Sequence, residues 1–342
     1  MSIEMGNLLN DVNEQQINQT LEKLNLLKQQ LGNVIVGQHE VIDQILIALL
    51  AQGHCLLEGV PGLAKTLMIS TLAKTMDLDF NRVQFTPDLM PSDIIGTEIL
   101  ETDHASGDRF FKFQQGPVFT QILLADEINR TPPKTQSALL EAMQERSISF
   151  AGKQYELPQP FFVLATQNPV EQAGTYSLPE AQLDRFLLFV RVVYPSFAEE
   201  IEILKRTTAT QSGRVESVIN QQEILLLQAV TRAVNISDSL LAYGASLVQA
   251  SRPQVSKLAK VQQFVSWGAG PRASQALILC AKAHALLRGE FSVSLDDVRA
   301  IAYPVLRHRL VLNFQAEAQQ VTTDDIIHEL LEDTQIPASV LS

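Results

Sequence analysis

The sequence predicts an α/β fold, a parallel sheet flanked by helices, followed by a second domain made only of helices. In the first 195 residues, short apolar runs of strand length alternate with amphipathic helical patterns. That alternation is typical of parallel strands joined by crossover helices, with both faces of the sheet covered. Beyond residue 195 the strand-length runs cease and helical periodicity continues. We therefore expect a core domain at residues 1–195 and an α-helical domain at residues 196–342.

The composition excludes several classes of protein. The 342 residues are 46% hydrophobic, which is enough for a buried core in each of two domains. A net charge of −12 argues against nucleic acid as the main partner. Every apolar run is shorter than the ~20 residues that span a bilayer. The N-terminus lacks a signal-peptide pattern, so we expect a cytoplasmic protein without a membrane span.

Each element of the first half follows from its pattern. Helical faces are predicted at Val12–Leu31 and Val41–Leu49. Strands are predicted at Cys55–Leu57, Arg82–Phe85, Ile122–Ala125, Phe161–Ala165 and Phe186–Val193. Two inserted β-hairpins are expected at about 93–119 and 147–160, the first with extended pieces at Ile94–Leu100 and Arg109–Phe113. In the second half, helices are predicted at Glu223–Ala233, Ser237–Leu247, Val255–Phe264, Pro271–Leu287 and Leu295–Leu306.

A glycine-containing loop lies between the first predicted strand and a helix that begins at Lys65. It reads Gly59-Val60-Pro61-Gly62-Leu63-Ala64-Lys65-Thr66. In a strand–loop–helix context, the backbone N–H groups of such a loop and the helix N-terminus converge on a phosphate. Lys65 is then expected to contact the β- and γ-phosphates, and the Thr66 hydroxyl to bind Mg²⁺. Ala64 replaces the usual second glycine, which costs little if its φ is negative, as we expect; an ordinary glycine-proline turn is the alternative.

Polar residues follow two later strands. Asp126 and Glu127 end one strand, and Asn168 ends the next. Because ligands bind at the carboxyl ends of parallel strands, we expect Asp126 to hold Mg²⁺, Glu127 to activate water, and Asn168 to approach the γ-phosphate. The alternatives are acids that favour the next helix N-terminus and an ordinary Asn-Pro turn.

Two arginines complete the set of candidate residues. Arg185 is either a solvated surface charge or an arginine donated to a neighbouring subunit's nucleotide, which requires a head-to-tail ring. Arg272 lies at a helix N-terminus, where a cation is unfavourable unless it faces an anion. We expect that anion to be a nucleotide phosphate, with a structural ion pair as the alternative.

The order of these motifs resembles the MoxR family of AAA+ ATPases over about residues 30–325. The resemblance is carried by the glycine loop and by Ala125-Asp126-Glu127-Ile128-Asn129-Arg130, Ala165-Thr166-Gln167-Asn168-Pro169, Leu183-Asp184-Arg185-Phe186 and Gly270-Pro271-Arg272-Ala273. It implies that Lys65 and Thr66 belong to Walker A, that Asp126 and Glu127 form Walker B, that Asn168 is sensor 1, that Arg185 is the arginine finger and that Arg272 is sensor 2. The predicted hairpins resemble the helix-2 insert and the pre-sensor-1 hairpin of the clade shared with magnesium chelatase.

The resemblance also implies partners and cofactors. ATP and Mg²⁺ are expected, with ATP between the core and the helical lid, in a homo-oligomeric and hexameric ring. The implied role is chaperone-like remodelling of a client protein, often alongside a von Willebrand factor A domain protein. Val36-Gly37-Gln38 resembles the segment that lines the adenine pocket, or is a helix-capping turn, and Arg146 is a candidate second interface arginine. The alternatives are a DNA motor, which the few basic residues of the first hairpin disfavour, and a nucleotide-locked scaffold.

Overall fold

The computed structural model describes residues 14–102, 109–169, 174–208 and 215–336. The strands are β1 Cys55–Glu58, β2 Phe80–Gln84, β3 Gly96–Thr102, β4 Arg109–Gln115, β5 Ile122–Asp126, β6 Ser147–Phe150, β7 Lys153–Glu156, β8 Phe162–Gln167, β9 Leu188–Arg191, β10 Val265–Trp267 and β11 Val311–Leu312. The helices are α1 Glu14–Val34, α2 His39–Leu50, α3 Lys65–Thr75, α4 Pro91–Ile95, α5 Pro133–Glu145, α6 Glu180–Leu183, α7 Phe197–Thr207, α8 Gln221–Ala233, α9 Asp238–Ala250, α10 Ala259–Phe264, α11 Pro271–Leu287, α12 Leu295–Ala300, α13 Ala302–Leu306, α14 Phe314–Ala318 and α15 Thr323–Asp333.

A five-stranded parallel sheet forms the centre of the first half, in the order β2-β5-β8-β1-β9. Its three central strands, β5, β8 and β1, are almost continuously apolar and buried. Such strands need helices on both faces, since neither face can meet water. One face packs on α1, α2 and α3, and the other packs mainly on α5. The predicted parallel sheet is therefore confirmed.

Two antiparallel hairpins extend from the sheet. β3 pairs with β4, and β6 pairs with β7. The first extended segment was expected from Ile94, but Ile94 lies in the short helix α4, which starts with Pro91 in its first turn. The link between β3 and β4, residues 103–108, lies outside the described residues, as do positions 12 and 13 of the first predicted helix.

Where the structure describes it, the second half is helical, with one exception that the sequence did not predict. β10 and β11 form a two-stranded antiparallel ribbon. Strands of three and two residues are too short to show an alternating pattern, so periodicity could not find them. The helix expected from Val255 begins only at Ala259, because residues 251–258 form turns and a loop instead.

The long helix α11 joins the two halves by packing on α2. A single apolar cluster runs from Leu46 through Leu188 to Leu286 and Leu330, so the buried core continues across residue 195. The boundary at 195 stays a prediction. Within the described residues, no helix is both long and apolar enough to cross a membrane.

Candidate functional site

The glycine loop joins β1 to α3 at the carboxyl edge of the sheet. Gly59 packs so closely against the strand-end residue Val192 that an added Cβ would lie 2.8 Å from its carbonyl oxygen. The Lys65 ammonium donates a hydrogen bond to the Gly59 carbonyl across the loop. The loop borders a cavity of about 260 Å³, here called the loop cavity, which is lined by Pro61, Gly62, Leu63, Ala64, Lys65, Thr66, Asp126, Glu127 and Asn168.

Ala64 does not have the negative φ that we expected. Its φ of 53° and ψ of 25° place it in the left-handed region, immediately before α3. A residue with a Cβ pays roughly 1–2 kcal/mol in that conformation. The expectation was wrong because Ala64 precedes the first turn of the helix rather than lying in it.

Lys65 is half-buried and faces three carboxylates. Burial lowers the pKa of its ammonium, and the charges of Asp126, Glu127 and Glu58 oppose that shift. An ammonium held in a partly dry cavity is poised to interact strongly with an anion that enters it. The loop cavity can therefore hold phosphate oxygens.

Asp126 is held at the end of β5 by two neighbouring strands. The Thr166 hydroxyl, on β8, donates to Asp126 Oδ1 at 2.6 Å. Arg82, on β2, donates from Nη2 to Asp126 Oδ2 at 2.7 Å. The same Thr166 oxygen accepts the Glu127 backbone N–H at 2.9 Å, so one hydroxyl positions both acids.

Glu127 has a left-handed backbone with φ of 58°. Its Oε2 accepts a hydrogen bond of 2.7 Å from the Gln84 amide. The Arg130 guanidinium lies 3.2 Å from the same oxygen. The carboxylate that we expect to activate water is therefore already engaged.

The loop cavity has a donor set that fits Mg²⁺. Thr66 and Asp126, which both line this cavity, supply a hydroxyl and a carboxylate oxygen. Mg²⁺ prefers such oxygens and usually needs only one or two protein ligands, keeping several waters. Among the described residues, no cluster of three or more His, Cys, Asp or Glu side chains offers a competing metal site. Asn168, buried at the end of β8, lines the same cavity.

A second cavity adjoins the loop cavity. This apolar cavity has a volume of about 140 Å³ and shares Gly62, Leu63 and Ala64 with the loop cavity. Val36 and Gln38 form part of its wall, together with Leu67 and Ile203. Gly37, with φ of 66°, lies between two lining residues but is not itself part of the wall. A flat apolar group attached to the phosphates fits this arrangement.

Arg185 and Arg272 lie together, but not at the loop cavity. They line a separate cavity of about 270 Å³ with Arg146 and Arg309, here called the arginine cavity. His54, which precedes β1, and Leu187, which precedes β9, also line it. The arginine cavity therefore lies at the amino edge of the parallel sheet, opposite the loop cavity. A nucleotide bound between the core and the lid of one subunit would need Arg272 near the glycine loop of that subunit. The structure places Arg272 elsewhere, at the opposite edge of the sheet.

The carboxylate of Asp184 contacts two of the arginines that line the arginine cavity. Asp184 accepts a hydrogen bond of 2.7 Å from Arg309 Nε, and its other oxygen lies 3.7 Å from Arg272. Arg309 is buried and also donates to the carbonyl of Phe186, next to Arg185. Arg146 donates to the Gln52 carbonyl at 2.9 Å, and burial lowers the pKa of its guanidinium. Asp184 is the one acid among the described residues lining a cavity with four arginines, so the cavity is cationic.

Comparison with known proteins identifies the family. A model of the ATPase family associated with various cellular activities (AAA) matches residues 54–188, and a model of the AAA lid domain matches residues 258–330. The chain is 43% identical to Chaperone MoxR1 of Mycobacterium tuberculosis over 309 residues, covering 90% of this chain and 81% of that protein. The chain belongs to the MoxR family of AAA ATPases.

Two further comparisons agree with this assignment. Protein MoxR of Paracoccus denitrificans is 32% identical over 300 residues, covering 83% of this chain and 87% of that protein. A crystal structure of a candidate ATPase from Cytophaga hutchinsonii has a TM-score of 0.88 at 43% identity, covering 95% of this chain and 98% of that chain. The family and the fold class predicted from the sequence are both confirmed.

The site of this MoxR-family chain also contains residues that the sequence did not single out. Arg82, Gln84 and Thr166 hold the two acids, and Arg309 anchors the segment that carries Arg185. Each is an ordinary polar residue near a strand end or in a loop. No spacing pattern marks such residues, because their contacts depend on which strands become neighbours.

Proposed function

We propose that this chain is a Mg²⁺-dependent ATPase that works as a closed homo-oligomeric ring, a hexamer, and couples ATP hydrolysis to chaperone-like remodelling of a client protein. Membership of the MoxR family supports ATPase chemistry. The name of Chaperone MoxR1 supports the remodelling role. The ring, the metal and the roles of individual residues are our proposals.

Within one subunit, ATP occupies the loop cavity and the apolar cavity. The backbone N–H groups of Val60, Gly62, Leu63 and Ala64 cradle the phosphates, while Lys65 neutralises the β- and γ-phosphates. The Gly59 N–H donates to the Gln167 carbonyl instead, so Gly59 sets the start of the loop. Pro61, which has no N–H, serves only to shape the loop. The adenine ring lies in the apolar cavity against Val36 and Gln38, and Gly37 between them shapes the turn without lining the cavity.

The catalytic acids lie at the strand ends that face the γ-phosphate. Glu127 orients the attacking water and accepts its proton, and Asn168 hydrogen-bonds the γ-phosphate. Thr66 and Asp126 hold Mg²⁺, which neutralises charge on the phosphate oxygens when bound. Asp126 would hold Mg²⁺ mostly through water, since Mg²⁺ usually keeps part of its hydration shell.

The observation that carries the ring proposal is the position of Arg185 and Arg272 at the opposite edge of the sheet from Lys65. No rearrangement of side chains brings the two edges together within one subunit. Head-to-tail packing does so between subunits, because the cationic edge of one copy then faces the phosphates of the next. Arg185, Arg272 and Arg146 are therefore assigned to the neighbour's nucleotide.

The client role rests on the relatives rather than on geometry. We propose that the client is a protein. By family resemblance, a von Willebrand factor A domain protein is the proposed partner. We expect the chain to act in the cytoplasm, where ATP is supplied. A DNA motor is disfavoured by the first hairpin. There Lys112 pairs with Glu101 at 2.9 Å, and only Arg109 adds a second described cation.

Asp126 and Glu127 are hydrogen-bonded to protein side chains, which favours slow ATP hydrolysis in the isolated subunit. A nucleotide-locked scaffold, which binds ATP and barely hydrolyses it, is the extreme case. ATP hydrolysis by the purified protein should therefore be measured as a function of protein concentration.

We expect Lys65→Ala to lose nucleotide binding and ATPase activity. Glu127→Gln should retain ATP binding while losing hydrolysis. Hydrolysis that persists in both variants would show that a different site is responsible.

A mixing experiment tests the assignment of Arg185. Subunits carrying Arg185→Ala have intact loops but donate no arginine, and Glu127→Gln subunits donate the arginine but cannot hydrolyse. Mixed rings should recover turnover, because some sites combine an intact Glu127 with a neighbour's Arg185. Mixed rings that form, as shown by co-purification of two tags, and yet stay inactive would rule out this role.

A further inference from the structure

Helix α7 exposes an apolar face. None of its residues is buried, although apolar side chains recur at positions i, i+4 and i+7. These are Phe197, 79% exposed, Ile201, 38% exposed, and Leu204, 57% exposed. We call them the α7 stripe. An amphipathic helix normally buries such a face, so the stripe is a surface that another element covers in the functional state.

The α7 stripe borders the nucleotide edge of the subunit. On a different face of the same helix, Ile203, Arg206 and Thr207 line the apolar cavity. Leu67, which is half-exposed, lines that cavity too. The helix that carries the stripe therefore also forms part of the wall of the apolar cavity.

The lid carries an exposed apolar surface beside Arg272. Trp267 is 70% exposed at the end of β10, five residues before Arg272. Val255 is 62% exposed in the loop 251–258. This loop is adjacent to Trp267, since an added Cβ on Gly268 would lie 2.4 Å from the Ser251 carbonyl oxygen. We call Trp267 and Val255 the lid patch.

We infer that the α7 stripe of one copy docks on the lid patch of the next copy in the ring. The inference rests on the proposed function, because head-to-tail packing places the edge with Arg272 against the neighbour's nucleotide edge. The α7 stripe lies on the helix that borders the apolar cavity, and the lid patch lies near Arg272. The contact that brings Arg272 to the neighbour's phosphates therefore also brings the two apolar surfaces together. The two surfaces differ, as a head-to-tail interface requires.

The charges at the Phe197 end of the α7 stripe are complementary to those of the lid patch. The first turn of α7, beside Phe197, holds Glu199 and Glu200, and its last turn holds Lys205 and Arg206. The loop of the lid patch holds Arg252 and Lys257 with no acid between them, so it matches the acidic end of the helix that carries Phe197. Opposite charges at the border of an apolar contact favour one register and one orientation of docking. A second copy of this chain therefore matches the stripe in both hydrophobicity and charge.

Thiol cross-linking tests the contact directly. The two native cysteines, Cys55 and Cys280, are buried, so a short bismaleimide reacts with introduced thiols. Phe197→Cys subunits are mixed with Trp267→Cys subunits of different mass in the presence of ATP and Mg²⁺. We expect the mixed-mass dimer to form, whereas each variant alone gives little product. Dimers formed mainly by Phe197→Cys alone would show a symmetric contact and overturn the inference.

A charge substitution tests whether the contact matters for assembly. Phe197→Glu should raise the concentration needed for ring assembly roughly tenfold or more, since a buried aromatic anchor is lost. Phe291→Glu serves as the control, because Phe291 is exposed beyond the end of α11 that is far from Arg272. Nucleotide binding by the monomer should be unchanged in both variants.

The outcomes separate the two proposals. If the parent chain assembles and hydrolyses ATP through Lys65, but Phe197→Glu assembles like the parent and the mixed cross-link is absent, the docking inference fails and the proposed function stands. If the parent chain stays monomeric with ATP and Mg²⁺, both the ring and the docking contact are wrong.

Discussion

The Gln84 side chain donates a hydrogen bond of 2.7 Å to Oε2 of Glu127, from the neighbouring strand end. Arg130 lies 3.2 Å from the same oxygen. A carboxylate held by such charge-assisted contacts is less free to meet a water molecule. The structure therefore shows Glu127 restrained by Gln84 and Arg130.

We predict that Gln84→Ala raises the basal ATPase rate several-fold by releasing Glu127. The rate is measured at saturating ATP, alongside the ATP dissociation constant, which should not change. Gln84→Glu is a useful companion, because like charges at this distance repel and should also displace Glu127. A fall in the rate towards that of Glu127→Gln would mean that Gln84 positions Glu127 for catalysis instead.

Much of the candidate site could be predicted because it follows strand direction. The loop at Gly59–Thr66, the acids Asp126 and Glu127, and Asn168 all come directly after parallel strands, so they meet at one edge. The roles of Gln84 and Thr166 depend on the strand order β2-β5-β8, which no local pattern encodes. The position of Arg272 depends on how α11 packs against α2, and sequence spacing says nothing about that packing.

The ion pair between Asp184 and Arg309 should contribute strongly to stability. Arg309 is buried, at 4% side-chain exposure, and lies 2.7 Å from the carboxylate. We predict that Asp184→Asn lowers the free energy of unfolding by about 3 kcal/mol, because an arginine charge is left buried without its partner. Urea unfolding measures this difference.

The surface pair Lys112–Glu101 provides the matched control for Asp184→Asn. Both side chains of this pair are more than 40% exposed. Glu101→Gln should therefore cost less than about 1 kcal/mol. Equal losses in the two variants would show that the burial of Arg309 does not determine the strength of its ion pair.

The left-handed Ala64 should carry conformational strain. We predict that Ala64→Gly raises the free energy of unfolding by up to about 1 kcal/mol. Glycine removes the cost of the left-handed backbone, but it also gives the unfolded chain more conformational freedom, which offsets part of the gain. Ala151 has φ of 48° in the turn between β6 and β7, far from the glycine loop in sequence. Because its backbone is left-handed like that of Ala64, Ala151→Gly should have a similar effect on stability. The strain argument would be contradicted if Ala64→Gly and Ala151→Gly were both less stable than the parent chain.

His54 should make stability depend on pH. Its ring is fully buried, donating from Nε2 to the Met143 carbonyl at 3.1 Å and accepting the Val163 N–H at Nδ1 at 3.0 Å. Burial lowers its pKa from 6.5 to about 4. Between these values the unfolded chain binds a proton that the folded chain does not, so stability is lost as the pH falls from about 6.5 towards 4.

From pH 7 to pH 5, this single group should lower the free energy of unfolding by about 2 kcal/mol. His54→Gln keeps one donor and one acceptor but does not titrate, so its stability should fall less over the same interval. His328→Gln, at a partly exposed position on α15, provides the control for loss of a histidine outside the core. Urea unfolding at both pH values measures the slopes. An unchanged slope in His54→Gln would assign the acid sensitivity to another group, and His308, whose pKa burial lowers well below 6.5, would be the next to replace.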